Sequence, residues 1–256
     1  MQAFFIGLQF LTRINIVKQT VWTEEDFGKS VLYFPLIGAV LGSIYGGVAW
    51  LIYVLLPGCG VPIPMHLAAA FMVALPVMLT GGIHCDGFMD TVDGIFSGRD
   101  RERMLEIMKD SCSGAFSVVA FVLLMLLQYG AVSDMPAEIM PAAFFVMPII
   151  SRMMMVIAIF MYPYARNEGM GKAFTKYANT RTLLFVVFYG LLLVLPWGWN
   201  GVIATVCALL FTYFFCNYVT RLLGGLTGDV YGAVTTLCEL VVLLAFIFGN
   251  YLGCVD

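Results

Sequence analysis

Three aspartates, Asp86, Asp90 and Asp93, stand at i, i+4 and i+7 in GGIHCDGFMDTVDG (residues 81–94), beside an apolar stretch. On an α-helix, at about 100° per residue, they share one narrow face. Carboxylates held that close repel by about 1 kcal/mol per pair in water and about 4 near a protein surface. A solvated helix end scatters its acids and mixes bases among them; this one does neither. The pattern predicts a hard divalent ion, Mg²⁺, held by Asp86, Asp90 and Asp93. Such an ion neutralises a leaving pyrophosphate and lowers the pKa of a bound hydroxyl. His84 directly precedes the cluster and is a candidate for proton transfer or substrate contact.

Cations that suit an anionic substrate lie elsewhere in the chain. Arg152 sits inside an apolar run, about nine residues or roughly 14 Å from its inner end, too far to snorkel comfortably. It is expected to meet the aspartates or a substrate phosphate. Glu239, inside another run, is a second candidate partner for Arg152, or a further metal ligand. Arg166, Lys172 and Lys176 flank Gly169 and Gly171 in PYARNEGMGKAFTK (residues 163–176) and together suit a diphosphate, the arginine fork being the more specific. Asp229, in the glycine-rich segment GGLTGDVYG, either joins the metal site or caps the helix that follows.

The elements that must position these residues are set by composition. Hydrophobic residues make up 61% of the chain and charged residues 11%, far from the usual quarter charged of soluble domains. Seven apolar runs, about 31–56, 63–83, 114–130, 139–161, 182–199, 202–219 and 233–253, approach the roughly 20 residues that cross a bilayer core as helix. Unbroken runs exclude a β-barrel, whose strands alternate. The expected fold is therefore all-α: a polytopic integral membrane bundle of about seven transmembrane helices, one domain over 1–256. The thirteen Lys and Arg set its orientation. Apart from Arg152, they fall before the first run (Arg13, Lys18, Lys29), at 99–109, at 166–181 and at Arg221. Those segments share one side if seven spans alternate, which predicts an inside N-terminus and an outside C-terminus. Inner segments 84–113, 162–181 and 220–232 would then form the active-site face.

Smaller features add local expectations. Residues 1–11 lack a basic n-region and cleavage site, so they read as an interfacial helix, not a removed signal peptide. Asp100 is a suitable N-cap for a short amphipathic helix, with Met104, Leu105 and Met108 in the interface and its basic residues over the aspartate face. Gly38, Gly42 and Gly46, spaced by four, predict close approach of a neighbouring helix. Cys59 and Cys254 both fall on the outer side, and whether they pair is left open.

Taken together, these segments resemble the cobalamin-5′-phosphate synthase family, the adenosylcobinamide-GDP ribazoletransferases. The resemblance rests on FLTRI at 10–14, FPLIGAVLG at 34–42, GGIHCDGFMDTVDGIFSGRDRERMLEIMKDS at 81–111, Ser151-Arg152, PYARNEGMGKAF at 163–174 and GGLTGDVYGA at 224–233. It implies an enzyme of the bacterial cytoplasmic (inner) membrane, its active site facing the cytoplasm. The implied reaction is a Mg²⁺-dependent transfer in cobalamin biosynthesis. In it the ribose 3′-hydroxyl of α-ribazole, or of its 5′-phosphate, attacks the cobinamide-side phosphate of adenosylcobinamide-GDP and GMP leaves. Asp86, Asp90, Asp93 and His84 would be catalytic; Lys109, Asp110, Arg152, Arg166, Lys172, Asp229 and Glu239 would contact substrate. No nucleic-acid partner is expected, and the oligomeric state is left open.

The chain departs from the family pattern at three places. Cys112-Ser113-Gly114 stands where Arg precedes a small residue and Gly, so Lys109 is a candidate substitute for that cation. Thr236 stands where Glu is common, and Asn15 where Pro is usual. Two other readings fit the carboxylates less well: a CDP-alcohol-type phosphotransferase, whose longer aspartate motif is absent, and a cation transporter, which favours sites near the midplane in repeated halves.

Overall fold

The computed structural model describes residues 2–17, 21–61 and 63–253, and among them every regular element is helical. Lys18 and Cys254, and with them any Cys59–Cys254 bridge, lie outside the described residues; Cys59 is exposed. The elements are α1 (Gln2–Leu11), α2 (Glu24–Lys29), α3 (Phe34–Trp50), α4 (Leu56–Gly58), α5 (Met65–Thr80), α6 (Ile83–Phe96) and α7 (Arg101–Ile107). They continue with α8 (Ala115–Asp134), α9 (Met140–Met161), α10 (Met170–Tyr177), α11 (Thr180–Val194), α12 (Gly198–Leu223) and α13 (Gly228–Gly253).

By length and composition five helical stretches can cross a membrane, or six if the bent pair α5–α6 is one span. The run Thr180–Leu223 counts once although its 44 residues, at about 1.5 Å each, are long enough for two crossings. It breaks at Leu195–Trp197 and Gly198, whose φ of +63° suits glycine. A Cβ on Gly201 would lie 2.7 Å from the Val194 carbonyl, so the chain folds back there.

Central α9 and α13 are buried, whereas α8, α11 and α12 turn large apolar side chains such as Leu126, Phe188 and Phe214 outward. Those outward faces suit lipid. The glycine stripe of α3 lies against α9: a Cβ on Gly38, Gly42 or Gly46 would strike the carbonyls of Pro148, Phe145 and Pro141 in turn. Small residues let backbones meet where apolar burial alone gives no preference in lipid.

Two local expectations change. Helix α1 buries Ile6, Leu8 and Leu11 within the protein core, beside α2 and α3. Helix α7 does start at Asp100, whose carboxylate accepts from Arg103 N at 2.9 Å. Its stripe, however, packs inward: Met104 and Met108 are buried, Met108 against Gly94 of α6. Nor do its bases hang over the aspartates, because Arg103 pairs with Glu106 at 2.8 Å and Arg101 reaches main-chain carbonyls.

The larger difference lies in the second apolar run. Gly81 and Gly82, both at positive φ, bend the chain by 92° between α5 and α6. The aspartates therefore do not sit at the end of a straight span. They occupy a separate helix, packed against α8 and α13.

Candidate active site

Helix α6 is regular from Ile83 to Phe96, so Asp86, Asp90 and Asp93 do share a face. Their surroundings differ. Asp86 is exposed, while Asp90 and Asp93 are half-buried. Asp93 is occupied: it accepts from Gly114 N at 2.6 Å, Ser117 N at 3.1 Å and Ser117 Oγ at 2.6 Å. These donors are at the start of α8, where Gly114 has no side chain to cap the free N–H groups. Asp93 caps α8 from outside. Among the described residues no three His, Cys, Asp or Glu side chains form a preassembled metal cage, so neither the expected Asp86–Asp90–Asp93 triad nor any other set of three is drawn together here.

A fourth carboxylate, Asp229, comes up beside this face of α6. Besides its burial, Asp90 is subject to the charges of Asp229, Asp86 and Asp93, with Arg166 of opposite sign. Asp229 comes from the first turn of α13, and glycine brings it close. A Cβ on Gly87 would lie 2.7 Å from the Asp229 carbonyl oxygen, and one on Gly232 would lie 3.2 Å from that of His84. Of the two roles open to Asp229, capping falls to Thr227, whose Oγ1 accepts from Val230 N at 3.3 Å. That frees the Asp229 carboxylate to meet Arg166 at 2.8 Å and to accept from Thr227 Oγ1 at 3.2 Å.

The Arg166 loop is locked to the start of α13. Ala165 N donates to Leu226 O and Leu226 N to Pro163 O, both at 2.8 Å, around a parallel bridge of Tyr164 and Leu226. Gly225 is required there, since a Cβ would lie 2.5 Å from Pro163 O. Burial raises the pKa of the Tyr164 phenol, against the opposing pull of Arg166, so it stays protonated near neutrality. Beyond the Asp229 pair, Arg166 Nε is buried without a hydrogen-bond partner.

Asp86, Asp229 and His84 line one pocket of about 180 Å³ with Gly87, Gly228 and Gly232. His84 is 5% exposed and its Nε2 has no hydrogen-bond partner. It also borders a second, water-sized space of about 20 Å³ beside Arg152 and Glu239.

Other candidate side chains lie away from this pocket. Arg152, fully buried, pairs with Glu239, not with the aspartates, and its Nη1 donates to Ser151 Oγ at 2.9 Å. The pairing follows from cost: two opposite charges inside the bundle satisfy each other more cheaply than either stands alone. Thr236 borders the same small space, so Glu239 is the carboxylate that balances Arg152. The Arg166–Lys172–Lys176 grip is divided by helical geometry. On α10, Gly171 and Phe174 face the aspartate pocket. Lys172 and Lys176, a turn apart, border an outer cleft, where they bond Asn167 O and Glu24. Lys109 and Asp110 are exposed; Asp110 Oδ1 accepts from Cys112 N at 3.1 Å and shapes the turn toward Gly114.

Sequence reasoning missed Ser117, Arg101 and the Gly87–Gly232 contact. Glycines at 228 and 232 around Asp229, and another at 87 between two aspartates, were the available signal.

A profile of the cobalamin-5-phosphate synthase family matches residues 3–247. The chain belongs to that family. It is 41% identical to the adenosylcobinamide-GDP ribazoletransferase of Desulfitobacterium hafniense strain Y51, over 95% of this chain and 96% of that one. Relatives of the same name in Pseudomonas paraeruginosa and Clostridium acetobutylicum are each 36% identical. The coverage is 96% of this chain and 97% of the relative in the first, and 93% of both in the second. No solved structure matches. Family membership separates the chain from the phosphotransferase and transporter alternatives, and the described site belongs to a membrane-embedded transferase of cobalamin biosynthesis.

Proposed function

We propose that this chain joins adenosylcobinamide-GDP to α-ribazole or its 5′-phosphate, with GMP as the leaving product, at the pocket between α6 and the start of α13. The observation that carries the placement is that Asp86 and Asp229 line one pocket, with Asp90 a turn further along the same face of α6 and Arg166 paired to Asp229 at 2.8 Å. Three carboxylates against one guanidinium leave two negative charges unbalanced, which fits a divalent cation. Asp86, Asp90 and Asp229 would hold Mg²⁺, with Asp93 as the cap that steadies α6 against α8. When bound, that ion would supply positive charge to the diphosphate and acidify the attacking hydroxyl.

The remaining work falls to the protein. The buried Nε–H of Arg166 suits a phosphate oxygen of the GDP moiety. Attack by the ribose 3′-hydroxyl oxygen on the cobinamide-side phosphorus forms one P–O bond and breaks the bond to GMP. The hydroxyl proton passes to a cluster carboxylate or to His84, both at the pocket wall. Such a transfer is mostly positioning and charge stabilisation. The positive-inside pattern supports an inner-membrane enzyme with this pocket on the cytoplasmic side.

The test is a purified, detergent-solubilised or liposome-embedded protein given adenosylcobinamide-GDP, α-ribazole and Mg²⁺. Release of GMP with a closed corrinoid is expected, stopped by a chelator and restored by excess Mg²⁺. Turnover unaffected by chelation would reject the metal, and no GMP under any condition would reject the reaction.

A further inference from the structure

Arg101 stands outside the pocket, yet it bonds the segment that carries Arg166 and the turn that leads into α13 and Asp229. From the first turn of α7, its Nε donates to Leu223 O at 2.7 Å and its Nη2 to Ala165 O at 3.1 Å. Leu223 is the last residue of α12, and its carbonyl is one of the end groups that a helix leaves unbonded. Ala165 immediately precedes Arg166. Gly224, at φ +71°, allows the approach: a Cβ there would lie 3.0 Å from Arg101 Nε. The third guanidinium nitrogen, Nη1, pairs with Glu102 at 3.2 Å.

We infer that Arg101 is a positioning residue, whose fork clamps the 163–166 loop to the α12–α13 turn and so sets Arg166 against Asp229. The inference rests on the assignment of that pair to the substrate pocket. The loop and the turn are otherwise joined near here by two main-chain bonds, Ala165 N to Leu226 O and Leu226 N to Pro163 O. Arg101 adds a third and fourth bond, from one planar group to carbonyls of both segments. A lysine carries one point charge and cannot donate two parallel N–H bonds of fixed spacing. Charge retention alone should therefore not replace it.

The clamp is tested first without substrate, by hydrogen exchange of the membrane-embedded protein. Arg101→Gln and Arg101→Lys should each speed exchange of the Ala165 and Leu226 amides about tenfold or more, with the α9 and α13 cores unchanged. Unchanged exchange at both amides overturns the inference, whatever reaction the protein performs. Exchange that rises throughout the bundle also overturns it, because Arg101 would then serve general stability.

A kinetic arm follows. Both variants should raise KM for the GDP-linked substrate about tenfold, more than they lower kcat. The same substitutions in an Arg166→Gln background should change KM less than about twofold, because the clamp acts through Arg166. Additive effects in that background would overturn the route through Arg166. If the exchange result holds while the wild-type chain releases no GMP, the clamp stands and the proposed reaction falls.

Discussion

The Arg166 guanidinium meets the Asp229 carboxylate at 2.8 Å and joins two polar segments on either side of the α11–α12 hairpin. Each segment alone reads as a solvated loop. Together they place a cation and a fourth acid at the face of α6. The carboxylate balance around Asp90 depends on this contact, and so do the expected effects of substitution.

Asp90→Asn, Asp86→Asn and Asp229→Asn should each lower turnover about a hundredfold or more while leaving the protein inserted. Mn²⁺ bound in place of Mg²⁺, followed by EPR, should lose affinity in all three. Normal Mn²⁺ binding by Asp229→Asn would return the metal to the α6 aspartates alone.

Asp93→Ala should behave differently, because its carboxylate satisfies three donors at the start of α8. The expected cost is about 1–2 kcal/mol of stability, a lower Tm in detergent. Mn²⁺ affinity, measured below the melting range, should fall far less than in Asp90→Asn. A loss equal to that of Asp90→Asn with unchanged Tm would make Asp93 a ligand.

The Arg152–Glu239 pair gives a stability prediction. Glu239→Met or Arg152→Met alone should destabilise by about 3–5 kcal/mol, since each leaves a buried charge uncompensated. The double variant Arg152→Met with Glu239→Met should recover most of that loss. Thermal unfolding of all four proteins decides it: additive losses would mean that the two charges do not answer each other.

Gly87→Ala should separate α6 from α13, because its Cβ would lie 2.7 Å from a main-chain oxygen. Gly232→Ala, at 3.2 Å, needs a smaller shift. Overpacking of this kind costs about 1–3 kcal/mol, and activity should drop more in the first variant than in the second. The reverse order, read from kcat/KM with both proteins folded, would sever the link between helix approach and the Asp90–Asp229 relationship.

Much of this was legible in the residues because the signals are local. An i, i+4, i+7 pattern needs only helical geometry, and the glycines of α3 announce a backbone contact by spacing alone. Asp100 as N-cap is read from four consecutive residues. The errors arise where a side chain has partners far along the chain. The face that Asp93 shares with the other acids is visible in sequence, but its bonds to the start of α8 are not a property of α6. Lys172 and Lys176 looked like neighbours of Arg166 until α10 turned them to another face.

By itself the amino-acid order determined an all-helical membrane protein and the acidic face of α6, since hydropathy and short-range periodicity act over one helix at a time. The reaction was implied by the resemblance of its motifs to a family. Only the tertiary structure decided that Asp229 stands with Asp86 and Asp90, that Asp93 caps α8, and that Arg152 answers Glu239. Those choices are made where helices meet, and contact between backbones depends on which glycines come to face each other.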